Sequence, residues 1–445
     1  MARGKKHKLS ESYVGGNVVN EHGSKNAKTQ QPAKLEAKDI YYEEDGLQRV
    51  YPYYHRFATH AKGRWVGRTI FDVFSKEFRD RTKEYYEASI EKGIIELNAQ
   101  KVTKDTVVRN GDMVTHFIHR HEPPVTTEPL RVVRETEDGL LVVDKPGSIP
   151  VHPTGRYNYN TVTNILQIKH GYAALYPINR LDRLTSGLLL VGLNPTVAHK
   201  VERQLVEHKV QKEYVCKVKG EFPDGKIKCS QPIRVIAHKL ALNCVDPKEG
   251  KPSETEFEKL FSEDGYSVVY CRPKTGRTHQ IRVHLQFLGF PIANDPLYNN
   301  VEVWGDDMGK SGALPQTTSD PKEEEEEKPK PEPEQAIERP RKMVGKCDSS
   351  QKNDAWRVLV KRMENWKDRQ DMMEHINDCV GEKGPGKCDK CSTPMLPDPK
   401  PSELSIWLHA WRYSGSDWTY ETPLPEWAAK AADHIDRVKY CPEKA

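Results

Sequence analysis

Apolar positions fall into short, distinct patterns along the chain. Ile70, Val73, Phe74 and Phe78 recur at helical spacing after Thr69, which predicts a helix. A second helix is predicted over residues 82–92, ending at Gly93. Ile94-Ile95-Glu96-Leu97 and Thr106-Val107-Val108 predict two short strands, and Asn110-Gly111-Asp112 a turn after them. From Leu130 onward the pattern changes. Leu140-Leu141-Val142-Val143 and Leu188-Leu189-Leu190-Val191 read as buried strands, and further strand patterns cover 213–218, 253–260 and 266–272. Helical patterns fall between them at 161–170 and 197–208. Several strands with few helices predict an α+β fold around a mixed, largely antiparallel sheet.

The pattern stops at residues 314–342, where Pro, Lys and Glu repeat and Glu323 to Glu327 form an acidic run. Such composition cannot build a core and predicts disorder. After it, Trp356, Leu359, Val360, Met363 and Trp366 share one helical face, and Cys388-Asp389-Lys390-Cys391 follows. A final strand pair is predicted from Ser405 to Tyr413 and from Trp418 to Glu421, then Pro423-Leu424-Pro425. The domain reading is a basic disordered tail (1–44), a small α+β module (45–125), a large domain (126–300), an insertion (301–400), strands that close the large domain (401–430) and a C-terminal tail (431–445).

Composition narrows the class. The net charge is only +4, from 69 Lys and Arg against 65 Asp and Glu, but basic residues crowd the N-terminus and middle while acid collects after residue 319. A basic face suited to a phosphate backbone fits that distribution. Nine cysteines, no apolar run in MARGKKHKLSES and no stretch of about 18 apolar residues predict a soluble protein of a reducing compartment, cytoplasmic or nuclear, with no membrane association.

Three segments carry candidate chemistry. In Asn179-Arg180-Leu181-Asp182-Arg183-Leu184-Thr185-Ser186-Gly187, a carboxylate lies between two arginines just before a buried strand. Neighbouring cations keep such an acid ionised, and a fixed carboxylate can attack carbon or stabilise a developing cation. By spacing alone, a structural role for Asp182 has the edge, since most perturbed carboxylates are structural. Arg277 and Arg282 flank the start of a predicted helix in Gly276-Arg277-Thr278-His279-Gln280-Ile281-Arg282-Val283-His284. They are placed to meet a phosphate or an acid, although a solvated basic face is common. Thr278 or His279 would cap this helix, and the five-residue spacing of His279 and His284 argues against a metal pair. In Lys212-Glu213-Tyr214-Val215-Cys216, alternation points Tyr214 inward with Cys216 and Val218, and Glu213 outward. A buried phenol can stack on a base or relay a proton.

Taken in order, Asp144-Lys145-Pro146-Gly147 with Val151-His152-Pro153, Arg180-Leu181-Asp182 with Thr185-Ser186-Gly187, Lys212-Glu213-Tyr214, the Gly276–His284 segment and Asp295-Pro296-Leu297-Tyr298 resemble the ordered motifs of the RluA family of pseudouridine synthases. The helix–helix–strand–turn–strand order of the N-terminal module resembles the S4 RNA-binding fold. Its ending, His119-Arg120-His121-Glu122-Pro123-Pro124, is similar to eukaryotic members acting on tRNA. Leu408-His409-Ala410 and Pro423-Leu424-Pro425 look like the family's closing segment, displaced by the insertion. One departure is Asn179, where the family commonly has His.

The resemblance implies an isomerase that breaks the N-glycosidic bond of a uridine in RNA, turns the base and rejoins it through carbon 5. It implies no metal or organic cofactor, an RNA partner (tRNA by the module's likeness) and a monomer. Asp182 would start the cleavage, either by adding to the sugar or by removing a sugar proton. Arg282, or as second choice Arg277, would keep Asp182 ionised, Tyr214 would stack on the base, and Arg180 would fill the gap left by the flipped uridine. Arg277, Lys212 and Arg183 would hold RNA phosphates. The alternatives are an RNA-binding protein without catalysis and a zinc deaminase. The latter is set aside because no His-x-Glu occurs in the chain. Cys388 and Cys391 make half a zinc site, with Cys379, His375 or Cys347 as possible partners.

Overall fold

The computed structural model describes residues 36–78, 82–237, 241–312, 388 and 397–435. The calls on residues 1–35, the acidic run, the amphipathic helix after it, Cys391 and residues 436–445 lie outside the described residues.

The first elements are a helical turn, Ala37–Ile40 (α1), and strands Tyr41–Glu44 (β1), Leu47–Val50 (β2) and Tyr53–His60 (β3). The tail expected over 1–44 therefore gives way to structure by residue 37. Ile40, Tyr41 and Val50 are buried in one cluster with Leu141, Val143 and Leu189, which belong to the large domain. The small module has its own core. Helices Ile70–Glu77 (α2) and Lys83–Glu91 (α3) are each capped by a threonine, Thr69 accepting from the amide of Asp72 and Thr82 from that of Tyr85. They bury Ile70, Val73, Phe74, Tyr86 and Ile90 against strands Ile95–Leu97 (β4) and Met113–Arg120 (β6), with the short exposed strand Gln100–Lys101 (β5) paired to β4. The sheet order is β3-β6-β4-β5. The expected strand at 106–108 is absent. Its backbone is spent on the entry to α2, with the amide of Ile70 donating to Thr106 and that of Gly67 to Val108. The strand that pairs with β4 comes after the turn, as β6.

The larger sheet has ten strands. Val125–Thr126 (β7) pairs with β2, outside it. Then come Arg131–Glu135 (β8), Leu140–Lys145 (β9), Tyr176–Pro177 (β10), Ser186–Gly192 (β11), Gln211–Lys219 (β12), Lys226–Cys229 (β13), the separate hairpin Ile233–Ala237 (β14) and Leu242–Val245 (β15), and the long pair Thr255–Glu263 (β16) and Tyr266–Pro273 (β17). Helices Val162–Lys169 (α4), Pro195–Val206 (α5), Gln280–Phe287 (α6) and Val301–Trp304 (α7) lie between and after them, and the last strands are Leu408–Ser414 (β18) and Thr419–Glu421 (β19). The order is β13-β16-β17-β12-β18-β11-β9-β8, with β10 on β11 and β19 on β18. All pairings are antiparallel except β11 with β18. The fold is thus the mixed, mostly antiparallel α+β sheet that the strand patterns predict.

Two expectations about segment ends need correction. Val303 and Trp304, placed in the insertion by sequence, are buried beside Val283, Leu297 and Tyr298. Ala431 and Ile435, placed in the tail, are buried against Val268 and Tyr270. Both carry apolar side chains that burial stabilises by roughly 1.5–3 kcal/mol for a large residue.

Candidate active site

Strand β18 enters the middle of the sheet and brings β11 and β12 to its two edges. This depends on a close approach. Gly187 has φ +104°, and a Cβ there would lie 2.2 Å from the carbonyl oxygen of Ala410. Only glycine meets both demands. The loop before β11 is held at three points. Leu181 is buried among Val142, Leu188, Leu190 and Tyr413. The side-chain oxygen of Asn179 accepts from the amide of Leu190 at 2.8 Å, while its nitrogen donates to the Tyr413 hydroxyl at 3.4 Å. Beneath the loop, the fully buried Lys145 donates through Nζ to the carbonyls of Pro146, Ile149 and Arg183 at 2.8–3.1 Å. Burial pushes that ammonium down to about 7, with the charge of Arg183 adding to the effect.

Leu181 inside and Arg180 outside leave Asp182 between them, its side chain 32% exposed. Nη1 of Arg282 donates to Oδ2 of Asp182 at 3.4 Å, and Nε2 of His279 lies 3.7 Å from the same oxygen. Burial pushes this carboxyl up, but His279 and then Arg282 outweigh it and hold it below the usual aspartate value. Asp182 is therefore an ionised carboxylate that remains open to a substrate.

Arg282 is held more firmly by another acid. Its Nε and Nη2 donate to the two oxygens of Asp295 at 2.6 and 2.9 Å. Asp295 is wholly buried and also accepts the amides of Leu297 and Tyr298. The ring of Tyr298 lies 4.9 Å from the guanidinium. The fork leaves one nitrogen directed at Asp182, so the Asp295-Pro296-Leu297-Tyr298 motif fixes the arginine that fixes the candidate acid. Helix α6 is not a solvated basic face: every residue from Gln280 to Gln286 is buried. His284 is bonded to Ser253, Thr255 and Gln231, as a satisfied core histidine.

Neither expected side chain caps α6. His279 occupies the N-cap position with φ 58° and makes no side-chain cap bond. Instead, Gln280 accepts from the Thr275 hydroxyl and the Arg277 amide, and donates to Glu254 and Thr255. The left-handed backbone of His279, costly for a residue with a Cβ, turns its ring toward Asp182 while Nδ1 shares a hydrogen bond with the Tyr298 hydroxyl at 2.9 Å.

Tyr214 lines the same site from β12. Its hydroxyl shares a 2.7 Å hydrogen bond with that of Tyr413. Burial pushes the Tyr214 phenol up to about 12, and the negative charge of Asp182 adds to this. At neutral pH Tyr214 is a protonated phenol that can stack or donate, not a standing base. A register shift at Glu213/Tyr214 alters the alternation there. Glu213, expected outside, is buried and bonded to Tyr270 and Arg412.

The remaining expected residues sit around this centre. Arg180 and Arg183 are exposed, and Arg183 stacks on Tyr157 at 5.7 Å. Arg277 is exposed and donates to the Pro252 carbonyl. Nζ of Lys212 lies 3.4 Å from where a Cβ on Gly276 would be, so this half-buried lysine reaches the turn before α6. Cys388 lies far along the chain beside His119, at 3.5 Å. Sequence reasoning missed His279, Tyr413 and the role of Asp295. The Asp295 motif was visible, but nothing in its spacing says that it grips Arg282.

The profile of the RNA pseudouridylate synthase family matches residues 139–287. The chain is 41% identical over 416 residues to the Mus musculus protein named pseudouridylate synthase RPUSD2, covering 88% of this chain and 73% of that one. It is 41% identical over 397 residues to the Saccharomyces cerevisiae protein named tRNA pseudouridine(32) synthase, mitochondrial, covering 86% and 77%. It is 32% identical over 431 residues to the tRNA pseudouridine(31) synthase of the same yeast, covering 87% and 96%.

These relationships and the sheet define a pseudouridine synthase, an isomerase acting on RNA. The chain belongs to the RluA-type family of RNA pseudouridylate synthases. The expectation of a cytoplasmic or nuclear protein is withdrawn, because a relative this similar carries a mitochondrial name. No helix among the described residues is long and apolar enough to cross a membrane.

Proposed function

We propose that the enzyme acts on tRNA, with Asp182 as its catalytic carboxylate. The observation that carries the second part is the position of Asp182: ionised, a third exposed, and facing both Arg282 and His279. For the first part, two of the relatives named above are tRNA enzymes by name. In the reaction the C1′–N1 bond of uridine breaks and a C1′–C5 bond forms. A proton leaves C5 and one is gained at N1, so nothing is oxidised or reduced. An ionised carboxylate beside the sugar suits either attack on C1′ or removal of a sugar proton. Tyr214 stacks on the base and, through its bond to Tyr413, offers a path for the C5 proton.

The uridine must leave its stack to reach Asp182, and the exposed Arg180, two residues away, is placed to enter the gap. Arg183, Arg277 and Lys212 supply positive charge for the phosphates nearby, and the small module over residues 45–125 extends that surface as an RNA-binding unit of S4 type. The protein works as a monomer. The test is Asp182→Ala and Asp182→Asn with unmodified tRNA transcripts as substrate. Pseudouridine formation should fall by more than about a thousandfold. Product at the wild-type rate from either variant would remove Asp182 from the chemistry. Product from other RNAs but none from tRNA would overturn the substrate reading alone.

A further inference from the structure

His119 is the last residue but one of β6, and His121 follows the strand's end at Arg120. Successive side chains of an extended segment point to opposite sides, so residues two apart share a side. Arg120 and Glu122 turn one way. Arg120 donates to the carbonyls of Gly155, Arg156 and Tyr157. Glu122 accepts from the Tyr53 hydroxyl and from the amides of Asn158, Tyr159 and Asn160. This pair therefore clamps the 154–160 loop of the large domain. His119 and His121 turn the other way, their rings 4.9 Å apart and nearly perpendicular. Cys388, more than 260 residues later, meets them there.

The ligand atoms of His119, His121 and Cys388 all lie within 4.8 Å of one another. Sγ of Cys388 and Nδ1 of His119 are 3.5 Å apart. For tetrahedral zinc, with bonds of about 2.3 Å to sulfur and 2.0–2.1 Å to nitrogen, a sulfur and a nitrogen ligand sit about 3.5 Å apart. Imidazole with thiolate is a donor set that selects zinc over magnesium or calcium.

We propose that His119, His121 and Cys388 bind a structural zinc ion that ties the segment before β18 to the small module. The sequence pointed to Cys388 but sought its partners in Cys379, His375 or Cys347. The fold supplies His119 and His121 instead. Cys391, the second thiol of the Cys-x-x-Cys spacing, lies outside the described residues. The ion has no part in the isomerisation proposed above, so the two readings fail separately. Its effect is to pin a residue far along the chain to β6 and its end, and the ion pair of Arg49 with Asp398, at 2.6 Å, fastens a second point ten positions further along the chain.

The test uses full-length, tag-free protein. Elemental analysis should find about one zinc per chain in the wild type, falling more than about tenfold in Cys388→Ser and in the His119→Ala/His121→Ala double variant. Apo wild type reloaded with cobalt(II) should show a thiolate-to-cobalt charge-transfer band that Cys388→Ser lacks. This arm does not depend on the double variant folding. Wild-type protein that retains no zinc and takes up no cobalt overturns the proposal. So does a zinc content unchanged in Cys388→Ser.

Discussion

At the scale of single residues, the site is a chain of charges ordered by burial. Asp295 is sealed, Arg282 is nearly so, and Asp182 is open at one side. Asp295 is ionised because of Arg282, and Asp182 because of His279 and Arg282 together. Asp182 sits below its ordinary value, so it contributes stability above that value which is lost as pH falls through its folded-state pKa. The wild-type rate should thus be free of this carboxyl above about pH 5. In Arg282→Met, one of the two groups that hold this carboxyl down is lost and His279 remains. The acid limb of kcat should then move up from its wild-type position, as a pH–rate profile would record. Asp295→Asn leaves Arg282 buried with half its fork, and should cost about 3–5 kcal/mol in chemical denaturation. If that variant matches the wild type in stability, the fork is not what holds Arg282.

At the scale of elements, close packing of backbones decides where the site can form. β11 and β18 run parallel with Gly187 opposite Ala410, and the backbone there leaves no room for a methyl group. Gly187→Ala should destabilise the protein by about 3 kcal/mol or more, from the combined backbone strain and overlap. The midpoint of thermal unfolding measures it. Helix α6 illustrates what a pattern can hide. Its arginines suit a solvated basic face, yet every residue from Gln280 to Gln286 is covered. Arg282 is buried because Asp295 meets it, not because of anything in the helix itself. Likewise, the bulge at Glu213/Tyr214 interrupts a regular alternation, and so Glu213 goes inside to Arg412 although period two puts it outside.

At the scale of the molecule, the large domain is assembled from distant parts. Its central strand arrives after residue 400, and its second edge of core comes from residues 40–50. A chain truncated before Ser405 should lose the strand that joins β11 to β12. Two sheet halves with unpaired inner edges are prone to aggregate. We expect insoluble protein, read by the soluble fraction on expression. A soluble, monomeric product with native far-ultraviolet dichroism would show that the halves hold without β18.

By itself the sequence determined the local elements and the chemistry available. Thr69 and Thr82 start helices, Leu188 to Val191 must be buried, and Arg180-Leu181-Asp182 with Lys212-Glu213-Tyr214 set out the reactive groups in order. The helix starts and buried strands are matters of periodicity and short-range bonding between residues a few positions apart, while the order of the reactive groups was legible through the family resemblance of their motifs. The tertiary structure alone decided which groups meet. Arg282 is 100 positions from Asp182, Tyr413 is 199 from Tyr214, and Cys388 is 269 from His119. Contacts at such separations follow from strand order and register, which depend on the whole sheet closing at once. No single segment carries that information.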